Sequence, residues 1–173
     1  GTRSRFGAAS PEPGMTFTLT SNGFRDGDTL PDAQVQAKGN VSPHLRWTGA
    51  PDGTRSFAIT CFDPDAPTGS GFWHWTVANI PADVTELLED ASAAGLPRGA
   101  VEGRTDFGTP GFGGAAPPPG HGPHRYIFTV FAVDVPQLDV TPENSGAVFG
   151  FNLHFHTLAK ASITATYENT GPG

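Results

Sequence analysis

The chain has 173 residues, enough for one domain with a real core. A net charge of −7 with no run of Lys or Arg argues against a nucleic-acid partner, which needs a positive stripe facing the phosphates. No apolar stretch approaches the roughly 20 residues of a membrane span, and a single cysteine, Cys61, excludes an internal disulfide and fits a reducing compartment, the cytoplasm.

The opening residues, GTRSRFGAASPEPG, lack the charged-then-apolar signal pattern and read as a flexible tail over 1–14, which leaves 15–173 as a single domain. MTFTLTS, from Met15, alternates apolar and hydroxyl side chains and predicts a half-buried strand. SPHLRW (42–47) predicts a second, short one. SFAITCF (56–62), HWTVANI (74–80) and HRYIFTVFAV (124–133) are rich in β-branched and aromatic residues between Gly, Pro and Asp, and predict central strands. DVTELLEDAS (83–92) predicts a short helix, with Asp83 capping and Glu86 three residues on. Residues 95–123 run Gly/Pro-rich through GTPGFGGAAPPPGHGP, and a loop of that length in a compact chain suggests function. In SGAVFGFNLHFHTLAKASI two periods compete. Phe149, Leu153 and Phe155 share strand parity, whereas Val148, Phe151, Phe155, Leu158 and Ala159 share a helical face, and the length favours helix. SITATY closes the chain as a strand. The fold class is therefore mainly β, with one or two peripheral helices.

The ionisable residues gather where strands end. CFDPDAPTGSGFWHW (61–75) places Asp63 and Asp65 around Pro64, and His74 between Trp73 and Trp75. Side chains alternate across a strand, so Phe57, Ile59, Cys61 and, by extension, Asp63 share a face. His74 is expected to share one with Thr76, Ala78 and Ile80. His124 and Tyr126 share one with Phe128, Val130 and Ala132, with Arg125 opposite. An acid, two imidazoles and a phenol on core-facing parity need partners, because burying them alone costs several kcal/mol.

DPDAP at 63–67, FWHW at 72–75 leading into VANIP, and PPPGHGPHRYIF at 117–128 resemble the phosphatidylethanolamine-binding protein family, in particular its bacterial, Raf kinase inhibitor-like branch. The resemblance spans about residues 15–168. It implies a large antiparallel sheet packed with a smaller one, and a small rigid pocket for an anionic or phosphorylated group such as a phosphatidylethanolamine headgroup. Carried over by position, the ligand-binding residues are Asp63, Asp65, Pro67, Trp73, His74, Pro118, His124 and Tyr126, with Ala116 on the rim. Two departures stand out: Phe112 replaces a tyrosine common in the family, and Ala115 replaces a proline in GGAAPPP, which makes the rim less polar.

Acids in an anion site need not touch the anion. Asp63 is expected to accept the His74 N–H, orienting the ring and raising its pKa, while His124, Tyr126 and loop N–H groups donate to the ligand. Asp65 also suits a turn-holding role, and Arg125 an ion pair with an acid. Trp75 is expected in the core and Trp73 on the pocket wall.

Other classes fit less well. Ser70 in TGSGF does not form a Gly-x-Ser-x-Gly elbow, so a hydrolase lacks its nucleophile, although acid–base chemistry through Asp63, His74 and His124 stays open. His121/His124 and His154/His156 have no paired Cys or His-Glu-x-x-His motif, so neither a metal nor another cofactor is expected. Regulation of a kinase or protease as a protein-interaction module, and self-association into a homodimer, remain compatible with the sequence.

Overall fold

The structure, a computed structural model, describes residues 16–171; the tail expected over 1–14 lies outside them. Eight strands form two antiparallel sheets. The larger has the order β6 (Val101–Glu102), β4 (Phe72–Pro81), β3 (Ser56–Asp63), β7 (His124–Val133), β8 (Thr157–Tyr167). The smaller has β1 (Thr18–Thr20), β2 (Leu45–Thr48) and β5 (Glu86–Leu87). The fold is mainly β.

One face of the large sheet packs on the small one. Phe57, Ile59 and Cys61 of β3, Trp75, Val77 and Ile80 of β4, and Tyr126, Phe128 and Val130 of β7 meet Leu19, Leu45, Trp47 and Leu87 in one apolar core. Trp47 and Phe57 bring their rings to 5.5 Å across the two sheets. On the other face Ala58, Ala78 and Val133 lie under Phe149 and Leu153 of helix α2 (Gly146–His156).

Two irregularities in β4 decide which residues reach which face. Ile59 pairs with Val77 and Phe57 with Ile80, so β4 carries an extra residue there, and Asn79 takes a positive φ of 63°. Its amide oxygen accepts the Leu138 N–H at 2.7 Å, which ties the irregularity to the covering loop. Nearer the strand start, Cys61 pairs with Trp75 but Phe62 with Trp73, which leaves His74 as the extra residue. A bulge of this kind interrupts the alternation of side chains. His74 therefore sits beside Phe72 on the small-sheet side, at 4.9 Å between rings, rather than with Thr76 and Ala78 as strict parity requires.

The same bulge separates the two tryptophans. Trp75 enters the main core, fully buried, and its indole N–H donates to Glu102 at 2.7 Å. Trp73 points to the reverse face, where it packs on Phe62 at 4.6 Å and lies against the start of α2. A Cβ at Gly146 would come within 2.3 Å of the Trp73 ring, so this approach of helix to indole requires glycine. The expected pocket wall at Trp73 is thus corrected to a helix-packing residue.

The expected helix over 83–92 is also corrected. Glu86–Leu87 joins the small sheet as β5, and the single-turn helix α1 (Ala91–Ala94) follows. Tertiary pairing with Leu45 and Arg46 outweighs a weak local capping signal. α2 forms where length favoured helix, with Ser145 accepting the Val148 N–H, but it turns Gly146, Phe149 and Leu153 inward. Val148, Phe151 and Phe155, expected on the buried face, are exposed. This segment is apolar nearly all round, so its periodicity holds no unique inward face.

Trp75→Ala should lower the free energy of unfolding by about 3–5 kcal/mol, the usual cost of emptying a buried aromatic site. Trp73→Ala should also destabilise, through the contact between α2 and the sheet. Urea unfolding of both variants checks this; a Trp75→Ala midpoint equal to wild type contradicts the core assignment.

Candidate functional site

At one end of β3, β4 and β7 a cavity of about 250 Å³ is lined by Asp63, Ala66, Pro67, Thr68, Phe72, His74, Phe107, Ala116, Pro118, His124 and Tyr126. Of the residues singled out in the sequence, Asp63, Pro67, His74, Ala116, Pro118, His124 and Tyr126 meet here. Asp65 and Trp73 do not. Ala66, Thr68, Phe72 and Phe107 escaped sequence reasoning. Phe72 has the parity of His74 but no ionisable group to draw notice, and Phe107 sits in a loop with no period; its ring reaches Phe72 at 4.8 Å and His74 at 5.5 Å.

Asp63 ends β3 and is buried. One carboxylate oxygen accepts the Asp65 N–H at 2.7 Å, closing the turn around Pro64. The other accepts His124 Nδ1–H at 2.6 Å. The ring that Asp63 orients is therefore His124, and the pairing expected with His74 is corrected. The strand register explains the choice: β3 lies between β4 and β7, but the bulge lifts His74 out of regular alternation.

His74 is held by the Gly/Pro-rich loop instead. Its Nδ1–H donates to the Gly113 carbonyl at 2.8 Å, while the Gly113 N–H donates to the His74 carbonyl at 2.9 Å. Burial pushes the His74 pKa below its ordinary value, although the Gly113 carbonyl acts in the opposite direction. The ring is thus neutral at pH 7, with its proton on Nδ1, so Nε2 is an acceptor.

Tyr126 supplies the complementary group. Burial, reinforced by the Asp63 charge, pushes its phenol well above the usual range, so the hydroxyl keeps its proton. The backbone of Ala116 acts in the opposite sense, yet among the described residues no hydrogen bond of normal geometry reaches this buried hydroxyl. His124 has neither ring nitrogen free, since Nε2 meets His121 Nδ1 at 2.6 Å. Among the described residues no Lys or Arg lines the cavity.

Asp65 serves the scaffold. Its carboxylate accepts the Arg125 backbone N–H at 2.9 Å, Nε–H at 3.0 Å and Nη2–H at 2.9 Å, clamping the turn to the first residues of β7. Other histidines lie elsewhere: His44 accepts the Asn22 N–H and meets Glu86 at 2.5 Å, and His156 meets Asp134 at 2.9 Å. Among the described residues no three His, Cys, Asp or Glu side chains gather as a metal site, and no helix is long and apolar enough to cross a membrane.

Two antiparallel sheets, a helix on the outer face, and an Asp/His/Tyr cavity at the strand ends define a class of small β proteins with a pocket between loops. The family model for phosphatidylethanolamine-binding protein matches residues 20–168, and the chain belongs to that family. The protein YbhB of Escherichia coli is 55% identical over 158 residues, covering 87% of this chain and 99% of that one. The crystal structure of E. coli YbcL, described as a member of the mammalian PEBP family, superposes with a TM-score of 0.86 at 50% identity, covering 88% of this chain and 98% of YbcL. A homologue from Chlamydia trachomatis, CT736, gives a TM-score of 0.79 at 28% identity, covering 90% and 99%.

The Arg125 clamp has a measurable signature. Its guanidinium holds the Asp65 carboxyl at about 2, below the ordinary 3.8. A depressed carboxyl stabilises the fold above its unfolded pKa and loses that contribution as pH falls through the folded one, here between about pH 4 and 2. Arg125→Ala should return the Asp65 pKa toward 3.8 and move acid unfolding to higher pH. Carboxyl NMR titration with acid melts checks both, and an unmoved Asp65 titration contradicts the clamp.

Proposed function

We propose that the cavity binds a small phosphorylated molecule, taken up as its monoanion. The observation that carries this reading is the buried Tyr126 hydroxyl, a donor without a partner in the same cavity as the neutral, accepting Nε2 of His74. An unpaired buried hydroxyl costs about 1–3 kcal/mol, which a ligand acceptor recovers. One donor and one acceptor match a phosphate monoester carrying both P–O⁻ and P–OH: the oxyanion accepts from Tyr126 and the P–OH donates to His74. The walls of Pro67, Phe72, Phe107 and Pro118 suit the apolar part of such a molecule. The family is named for phosphatidylethanolamine binding; the free headgroup O-phosphoethanolamine, a monoester, carries the P–OH that the diester of the lipid lacks, and is the first ligand to try.

With no Lys or Arg in the lining among the described residues, the affinity should be modest, because the strong charge-assisted pairs of an arginine-lined site are missing. The pH dependence has a definite sign. A phosphate monoester loses its second proton near pH 6, and the dianion has no proton to give His74. If His74 instead takes a proton on binding, the sign is the same.

Titration calorimetry with O-phosphoethanolamine should therefore show proton uptake, and affinity falling about tenfold or more from pH 6 to pH 8. Tyr126→Phe should weaken binding by about fivefold, the worth of one net hydrogen bond. Binding that strengthens with pH, or that ignores Tyr126→Phe, would falsify the reading.

A further inference from the structure

Asp63 leaves one nitrogen of His124 uncommitted to the scaffold, and that nitrogen is occupied by the exposed ring of His121. We propose that His121 is a displaceable cap on His124 Nε2, whose removal adds a third polar group to the cavity for an anionic ligand; this rests on the phosphate-binding reading above.

The two ends of the chain Asp63–His124–His121 differ in freedom. Asp63 is buried and held by the Asp65 N–H, and His124 is buried and held by Asp63. The His124 ring therefore has no room to turn its nitrogens elsewhere without stranding a buried carboxylate. His121 has that freedom. It is exposed, and its ring makes its hydrogen bond only to His124 among the described residues.

Its backbone belongs to the turn that carries Pro118, with the His121 N–H donating to the Pro118 carbonyl at 3.2 Å. Gly120 and Gly122 on either side adopt φ of 74° and 87°, a region open to glycine, so the turn presents the ring without strain at its own position. Pro118 lines the cavity and His121 does not. His124 itself lines the cavity, so His121 can leave for solvent without displacing a wall residue.

The exchange conserves hydrogen bonds. In the capped form the neutral His124 gives Nδ1–H to Asp63 and accepts His121 Nδ1–H at Nε2. In the open form His121 leaves with its proton and is hydrated, and His124 takes one proton from solvent, so that Nε2–H donates to a phosphate oxygen while Asp63 balances the charge of the ring. A hydrogen bond from such an imidazolium to an anion is roughly twice as strong as a neutral pair, so an anionic ligand favours the open form, whereas a neutral molecule of the same shape gains little by displacing His121. This makes His121 a determinant of charge selectivity in a cavity that no Lys or Arg lines among the described residues.

The test is titration calorimetry with inorganic phosphate and with O-phosphoethanolamine at pH 6 on wild type, His121→Ala and His121→Asn, with thermal melts to confirm folding. His121→Ala removes the competing ring, so it should bind about fivefold tighter, the worth of one net hydrogen bond. His121→Asn keeps a hydrogen-bonding atom near the place of Nδ1 and should return affinity toward wild type. Imidazole ¹⁵N spectra should show the His124 Nε2 resonance of wild type moving on ligand addition, and already displaced in ligand-free His121→Ala. Wild-type binding with equal or weaker binding by His121→Ala overturns the cap and leaves the phosphate reading intact. Tight binding by His121→Ala where wild type is undetectable supports the cap. Failure of every protein to bind either ligand removes the phosphate reading, and the cap with it.

Discussion

Between the pairs Cys61–Trp75 and Phe62–Trp73, strand β4 carries one residue more than strand β3, and that residue is His74. The extra residue allows His74 and Trp75, neighbours in sequence, to serve the same side of the sheet. Trp75 fills the core between the sheets and His74 enters the cavity. With regular alternation one of them would cross to the helix face, where Trp73 already packs on Phe62 and Gly146. The bulge thus joins stability and site: the strand segment that anchors the core also delivers an imidazole to the strand ends.

Around that bulge the cavity is built by satisfying one buried carboxylate. Leaving Asp63 ionised and unpaired would cost several kcal/mol. Its two oxygens are instead taken by the Asp65 N–H and by His124, and Asp65 in turn is clamped by Arg125. Each acid therefore answers to the scaffold: Asp63 lines the cavity, but both its oxygens already accept hydrogen bonds. The proline at position 64 fixes φ within this turn, and little order remains to be imposed when a ligand arrives.

What faces the cavity is then mostly apolar wall with two polar atoms in need of partners, the Tyr126 hydroxyl and His74 Nε2. The loop through Gly113 is part of this design. A Cβ at Gly113 would come within 2.4 Å of the Phe107 ring, so glycine lets the loop carbonyl reach His74 while Phe107 keeps its place in the cavity wall.

The linear sequence by itself determined the central strands: runs rich in β-branched and aromatic residues such as 56–62 and 124–133 are local patterns, and Gly, Pro and Asp bound them. The DPDAP and PPPGHGPHRYIF segments likewise identified most cavity residues, because each motif is short and lies at a strand end. The direction of individual side chains was not legible there. The separation of Trp73 from Trp75, and the entry of His74 on the side of Trp75, depend on a bulge that exists only when β3 and β4 are paired, and pairing is a non-local event. The inward face of α2 depended on the sheet as well, because a helix apolar on all sides takes its orientation from what it covers. Residues 86–87 became a strand because Leu45 and Arg46 offered an edge, an interaction between segments forty residues apart that no local propensity records.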